Sequence, residues 1–201
     1  MTAEFWDDRY SHPNFVFGYR PNDFLKEQSR LLKPGSRVLC LGDGEGRNGV
    51  WLAERGHDVV SLDFSRVALD KAEALAAERG TSIETWHVDL SEYVENPDPL
   101  RPWDAVVAIF VHLPAPLRRR VAEVVTRQCA PGAKLILESY TPAQLALGTG
   151  GPKDRDLLVT REDVMHDWDG WRLDVRLVER RVFEGMGHQG LSSVVQALGL
   201  R

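Results

Sequence analysis

Cysteine is scarce in this chain of 201 residues: Cys40 and Cys129 are the only two. Both sit in apolar runs, which excludes a disulfide scaffold and reads as a pair of reduced core thiols. Long apolar runs are missing too, and no stretch reaches the roughly 18 residues of a membrane span. The opening MTAEFWDDRY carries acids where a signal peptide has a basic and then an apolar stretch, so a cytoplasmic protein is expected. The six histidines are scattered, without a cysteine pair or H-x-x-x-H spacing, so no metal site is expected. Basic residues are in the minority, 25 against 30 acidic, for a net charge of −5. Footprints for nucleic acid or anionic membrane are usually basic, so neither partner is expected. Repeats, low-complexity tracts and Ser/Gly linkers are absent as well, which leaves one domain over 1–201.

What is present is a globular composition, 43% hydrophobic with 27% charged residues. Aromatics crowd the start, where Phe5, Trp6, Tyr10, Phe15, Phe17, Tyr19 and Phe24 precede the first strand signal. Residues 1–30 are therefore read as an aromatic segment, packed on the core or closing as a lid over a ligand. From Lys33 on, strand and helix patterns alternate. Arg37 to Leu41 is a short β-rich run, Asn48 to Glu54 a helix, and Asp58 to Leu62 the next strand. A helix follows from Ser65 to Arg79, capped by Ser65 and stopped by Gly80. Ile83 to Val88, Trp103 to Val111 and Lys134 to Ser139 are three further strands. Leu117, Val121, Val124 and Val125 recur at helical spacing, which turns Arg118, Arg119 and Arg120 toward water. Residues 161–168 read as helix, and Trp171 to Phe183 and Leu191 to Leu198 as two final strands with no helix between them. The fold class is thus α/β, a mostly parallel sheet of seven strands with helices on both faces and an antiparallel terminal pair.

In such sheets a ligand sits outside the carboxyl ends of the strands. The first turn, Gly42-Asp43-Gly44-Glu45-Gly46-Arg47-Asn48, falls there, and its glycines let the backbone approach a ligand at the start of a helix. Two cofactors compete for it. From Gly44 the pattern G-x-G-x-x-G through Gly46 and Gly49 is the dinucleotide fingerprint, with Asp63 at the end of the second strand. In that fingerprint, however, the first glycine directly follows the strand. Here Gly42 does, and from Gly42 the pattern is G-x-G-x-G, the frame of an S-adenosylmethionine site. Asp63 suits either cofactor by accepting from ribose hydroxyls, and Asp89-Leu90 after the third strand suits an adenine edge.

From Lys33 to Leu198 the chain resembles a class I S-adenosylmethionine-dependent methyltransferase. The N-terminal W-x-x-R-Y (Trp6 to Tyr10), P-N-x-F-L (Pro21 to Leu25) and G-R-N (Gly46 to Asn48) are similar to the tellurite-resistance (TehB) and thiopurine methyltransferase-like branch. One departure is Cys40, where the superfamily usually has an acid; Asp43 or Glu45 substitutes for it in this reading. The resemblance implies Gly42 and Gly44 at the methionine part of the cofactor, and Asp43, Arg47 and Asn48 of the same turn are further candidate cofactor-binding residues. It also implies Asp63 at the ribose, Phe64 on the adenine face, and Asp89 with Leu90 at its edge.

Methyl transfer demands alignment and desolvation of a sulfonium cation, and aromatic faces suit that charge; Trp6, Phe17, Tyr19 and Phe110 are candidates. His112 after the fourth strand and His188 in a Gly-rich turn are candidate bases. Arg181 is the candidate cation beside His188, and Tyr140 with residues 148–152 a candidate acceptor wall. The expected activity is methylation of a small, soft nucleophile, a thiol or a chalcogen oxyanion, which attacks without a base. An NAD(P)-dependent reductase and a non-catalytic S-adenosylmethionine-binding sensor are the alternatives, and the sequence does not separate a monomer from a homodimer.

Overall fold

The computed structural model describes residues 2–97 and 102–201. At its centre is β1 (Arg37–Leu41), buried at all five positions, as a strand covered on both faces must be. It pairs in parallel with β2 (Asp58–Asp63) on one side and β4 (Trp103–Ile109) on the other. With β3 (Glu84–His87), β5 (Cys129–Tyr140), β6 (Arg172–Glu184) and β7 (His188–Leu200) the sheet runs β3-β2-β1-β4-β5-β7-β6. Strand β7 is antiparallel to both its neighbours. The chain order reverses between β1 and β4, which opens a crevice at their carboxyl ends.

Alternate side chains of each strand enter opposite layers. Val38, Cys40, Val59, Val107 and Ile136 face α2 (Asp23–Gln28) and α3 (Arg47–Ala53). Leu39, Leu41, Val60, Val106, Leu135 and Leu137 face α6 (Ala115–Gln128) and α8 (Arg161–Asp167). Two-sided burial is the reason these strands read as unbroken apolar runs. Helix α1 (Ala3–Tyr10) lies over α4 (Arg66–Glu78), with Trp6, Tyr10, Val16 and Phe17 packed on Val67 and Ala68. Short helices α5 (Leu90–Tyr93) and α7 (Gln144–Leu147) follow β3 and β5.

Three local features differ from the sequence reading. Pro131-Gly132 is a bulge inside β5 and not a turn before it: Trp103 pairs with Cys129 but Ala105 with Lys134, and left-handed Gly132 accommodates the extra residues. The last hairpin is tighter, since pairing continues to Glu184 opposite His188 and leaves only residues 185–187 as the turn. Gly185, at φ +59, closes it. Arg118 is not a solvated residue of its run: its side chain is 12% exposed and pairs with Asp163 and Asp167.

A buried polar network joins the N-terminal segment to the sheet. Glu138, fully buried on β5, accepts from Asn22 Nδ2 (2.5 Å), Arg180 (2.8 and 2.6 Å) and Gln196 (2.7 Å). Glu184 accepts from Asn22 Nδ2 (2.9 Å) and Arg47 (2.5 Å). Asn22 is completely used: its N–H donates to Asn48, and its Oδ1 caps α2 at the Leu25 N–H. Removing one member leaves the others charged and unpaired in low dielectric. Glu138→Ala is therefore expected to cost about 3 to 5 kcal/mol of unfolding free energy, measured by urea titration, with Glu138→Gln costing less.

Candidate active site

The crevice at the ends of β1, β2 and β4 holds a cavity of about 300 Å³. Its floor is the turn after β1. Gly42 and Gly44 line it with φ of +54° and +56°. A methyl on Gly42 would lie 3.2 Å from Val111, and one on Gly44 would lie 2.8 Å from Tyr10 Oη. Gly46 and Gly49 are not in the lining. Their side of the turn faces Ala72 of α4 and Ser61 of β2, so these two glycines serve packing. The frame that begins at Gly42 is thus the one that faces the cavity.

Asp63 lines the cavity and also braces the turn: its Oδ2 accepts from the Gly44 N–H (2.8 Å) and its Oδ1 from the Ser65 N–H (2.9 Å). Burial raises its pKa to about 6, against the pull of those N–H groups. Asp43 and Glu45 line the cavity as well but are committed elsewhere. Asp43 accepts from Ser61 Oγ (2.6 Å) and the Gly49 N–H (3.1 Å), and burial lifts its pKa to about 7. Glu45 accepts from the Val16 N–H (2.8 Å) and pairs with Lys71 (2.7 Å), which fixes the aromatic segment over α4. Phe64, Asp89 and Leu90 complete the end near β2 and β3, where Asp89 also caps α5 at the Ser91 N–H (2.6 Å). Arg47 and Asn48, at the start of α3, contribute to the wall while their outer ends are held by Glu184 and Asn22.

Trp6, Tyr10 and Phe17 form the roof, with Trp6 stacked on Tyr10 at 5.3 Å. A continuous ring wall closes the far end. Phe17 meets His188 at 4.6 Å, His188 meets Phe110 at 4.7 Å, and Phe110 stacks on Tyr140 at 4.6 Å. Phe110 holds φ at +56°, which is costly for a side chain of its size, and its N–H donates to the Glu138 carbonyl (2.8 Å). His112 lines the cavity beside it. Its Nδ1 is buried, and the Leu157 backbone lies beside the ring. Burial, with His188 nearby, pushes its pKa down to about 3. Burial also lowers the pKa of His188, and Glu184, whose Oε2 lies 3.6 Å from its Nδ1, only partly opposes this. Both shifts favour the neutral ring.

Three expected residues stand elsewhere. Tyr19 lies outside the cavity, 46% exposed and packed on Phe15 at 4.3 Å, because Gly18 turns the chain outward after Phe17. Arg181 is exposed on the outer face of β6, since alternation sends its neighbour Arg180 inward to Glu138. Tyr140 is fully buried behind Phe110 and does not line the cavity. Leu157 and Glu184 take part without any sequence signal: one comes from an irregular connection, and the other resembles any strand carboxylate until its partners are seen.

A family described as a methyltransferase domain matches residues 38–132. The chain is 31% identical over 163 residues to the 2-heptyl-1-hydroxyquinolin-4(1H)-one methyltransferase of Mycobacteroides abscessus, covering 79% of this chain and 69% of that protein. It is 32% identical over 109 residues to the tRNA 5-carboxymethoxyuridine methyltransferase of Escherichia coli strain K12, which is 52% of this chain but only 40% of that one. Among solved structures, TehB from Haemophilus influenzae superposes with a TM-score of 0.70 at 14% identity, over 99% of this chain and 66% of that one. No helix among the described residues is long and apolar enough to cross a membrane.

The Gly44 geometry is directly testable. Gly44→Ala forces an L side chain into the left-handed region against the Tyr10 hydroxyl, and is expected to cost about 1 to 2 kcal/mol in a thermal melt. Gly35→Ala, also at positive φ but with nothing within 4 Å, isolates the backbone part of that cost.

Proposed function

The chain belongs to the class I S-adenosylmethionine-dependent methyltransferases, and within that family we propose that it methylates a thiol or an acidic hydroxyl on a small, flat, largely apolar acceptor. The observation that carries this reading is the wall of Phe17, His188 and Phe110 beside a neutral His112. A flat ring packs well against such faces. A histidine with its pKa near 3 is a poor proton acceptor, so the acceptor must ionise by itself, as thiols and acidic hydroxyls do. A chalcogen oxyanion fits less well, because Arg47 and Arg180 are taken by Glu184 and Glu138 while Arg181 faces away. The hydroxyquinolone named for the Mycobacteroides relative is a flat hydroxylated ring of the proposed kind.

When bound, S-adenosylmethionine supplies an electrophilic methyl on a sulfonium cation. The residues present fit it: the Gly42 and Gly44 cradle would be filled by any side chain, and Asp63 keeps lone pairs beyond its two backbone bonds. In this reading Asp63 receives the ribose hydroxyls, Phe64, Asp89 and Leu90 take the adenine, and Arg47 and Asn48 hold the wall at the methionine end. The aromatic roof of residues 1–30 excludes water, and Trp6, Phe17 and Phe110 face the positive charge. Tyr140 backs Phe110 in that wall.

S-adenosylhomocysteine is expected to stabilise the fold by about 2.7 kcal/mol at a hundredfold excess over Kd, read as a rise in Tm. Ribose hydroxyls donate best to an ionised carboxylate, so its affinity is expected to fall as the pH drops through about 6, where Asp63 takes up its proton. Asp63→Asn should weaken binding by roughly 1.5 to 3 kcal/mol and flatten that pH dependence in calorimetry. For the acceptor, labelled methyl transfer is measured with benzenethiol, 1-hydroxyquinolin-4-one and bulk tRNA. Turnover of either ring compound, with kcat of His112→Ala within about tenfold of the parent, supports the reading; transfer to tRNA alone refutes it.

A further inference from the structure

Tyr10, the last residue of α1, is only 6% exposed and lines the cavity, yet among the described residues its hydroxyl makes no hydrogen bond. Buried tyrosine hydroxyls usually have a partner. The oxygen is not sealed off, as that of Tyr140 is, but opens on the cavity. Its position is fixed from several sides. The ring stacks on Trp6 at 5.3 Å and meets Phe17 edge-on at 6.3 Å, and the hydroxyl rests on the glycine turn, where a methyl on Gly44 would come within 2.8 Å of it. Burial, with the Asp63 and Glu45 carboxylates nearby, raises its pKa above the ordinary tyrosine value, and Arg9 and Arg47 offset this only in part. The proton stays on the oxygen, so the group is a donor. Neither carboxylate accepts from it: Asp63 is bonded to the Gly44 and Ser65 N–H groups, and Glu45 to the Val16 N–H and Lys71.

We infer that Tyr10 is a cofactor-binding residue, whose hydroxyl donates to the α-carboxylate of S-adenosylmethionine. The donor is held ready in the free protein and lacks only its acceptor. It stands over the Gly42 and Gly44 cradle, which in the reading above takes the methionine end of the cofactor. On that end the ammonium offers no lone pair, whereas a carboxylate is a strong acceptor for a neutral hydroxyl. Of the two carboxylates beside the hydroxyl, Glu45 is neutralised by Lys71 and Asp63 is the one assigned to the ribose. The inference rests on that placement of the cofactor and adds a contact from the roof. Because the Tyr10 ring also packs on Trp6 and Phe17, the bond ties the roof to the presence of the cofactor. The aromatic segment is thus completed by the cofactor's amino-acid end before an acceptor needs it.

The test uses the full chain with Tyr10→Phe, which keeps the ring and removes only the hydroxyl. Calorimetry compares three ligands: S-adenosylhomocysteine, its decarboxylated analogue, and methylthioadenosine, which lacks the whole amino-acid end. Tyr10→Phe is expected to weaken S-adenosylhomocysteine about tenfold and to change the other two by less than about twofold. Since the hydroxyl is unbonded in the free protein, the Tm of the unliganded variant should stay within about one degree of the parent. The rise in Tm produced by a fixed concentration of S-adenosylhomocysteine should shrink. Equal affinity of parent and variant for S-adenosylhomocysteine overturns the assignment. So does a similar loss for all three ligands, which puts the bond on the nucleoside, and so does a drop in the Tm of the unliganded variant alone, which marks a purely structural hydroxyl. Failure of S-adenosylhomocysteine to bind the parent overturns the cofactor placement beneath the inference.

Discussion

Two carboxylates buried where the N-terminal segment meets the far half of the sheet, Glu138 and Glu184, constrain much of the rest. Neither can stay charged in low dielectric without donors, and the donors come from distant parts of the chain: Asn22 before α2, Arg47 at the start of α3, Arg180 on β6 and Gln196 on β7. Satisfying them brings the aromatic segment, the glycine turn and the last hairpin to one place. The cavity is the space those three pieces enclose. Its roof comes from α1 and Phe17, its floor from Gly42 and Gly44, and its end wall from His188 and Phe110.

The same network shapes the electrostatics of the cavity. Because Glu184 neutralises Arg47, and Glu138 neutralises Arg180, the buried end presents rings and two histidines whose neutral form burial favours, not a cluster of positive charge. Methyl transfer from a sulfonium needs little more than alignment and exclusion of water, which is why the aromatic lining supports the proposed site.

Much of the sheet was legible because strand burial on two faces leaves a strong local mark. RVLCL, DVVSL and WDAVVAIFV are apolar runs bounded by turns, and each appears within a residue or two of its expected limits. The first turn was legible for a related reason: only glycine tolerates its backbone, and the position of Gly42 directly after the strand separates the two cofactor frames. Misplaced residues are those whose environment depends on phase or on distant partners. Alternation on β6 decides between Arg180 and Arg181, and a one-residue difference in register exchanges the buried cation for the exposed one. Tyr19 looked like part of the aromatic roof, but Gly18 turns it away.

The order of elements, the parallel core, the antiparallel final pair and the glycine turn after β1 were determined by the sequence itself, since each follows from local periodicity, glycine placement and short connections. Which residues share the cavity was decided only by tertiary structure. His112 is an ordinary histidine until burial removes its charge, and Glu184 an ordinary strand carboxylate until Arg47 and Asn22 reach it. Desolvation and long-range pairing set those properties, and neither is encoded in any short stretch of residues.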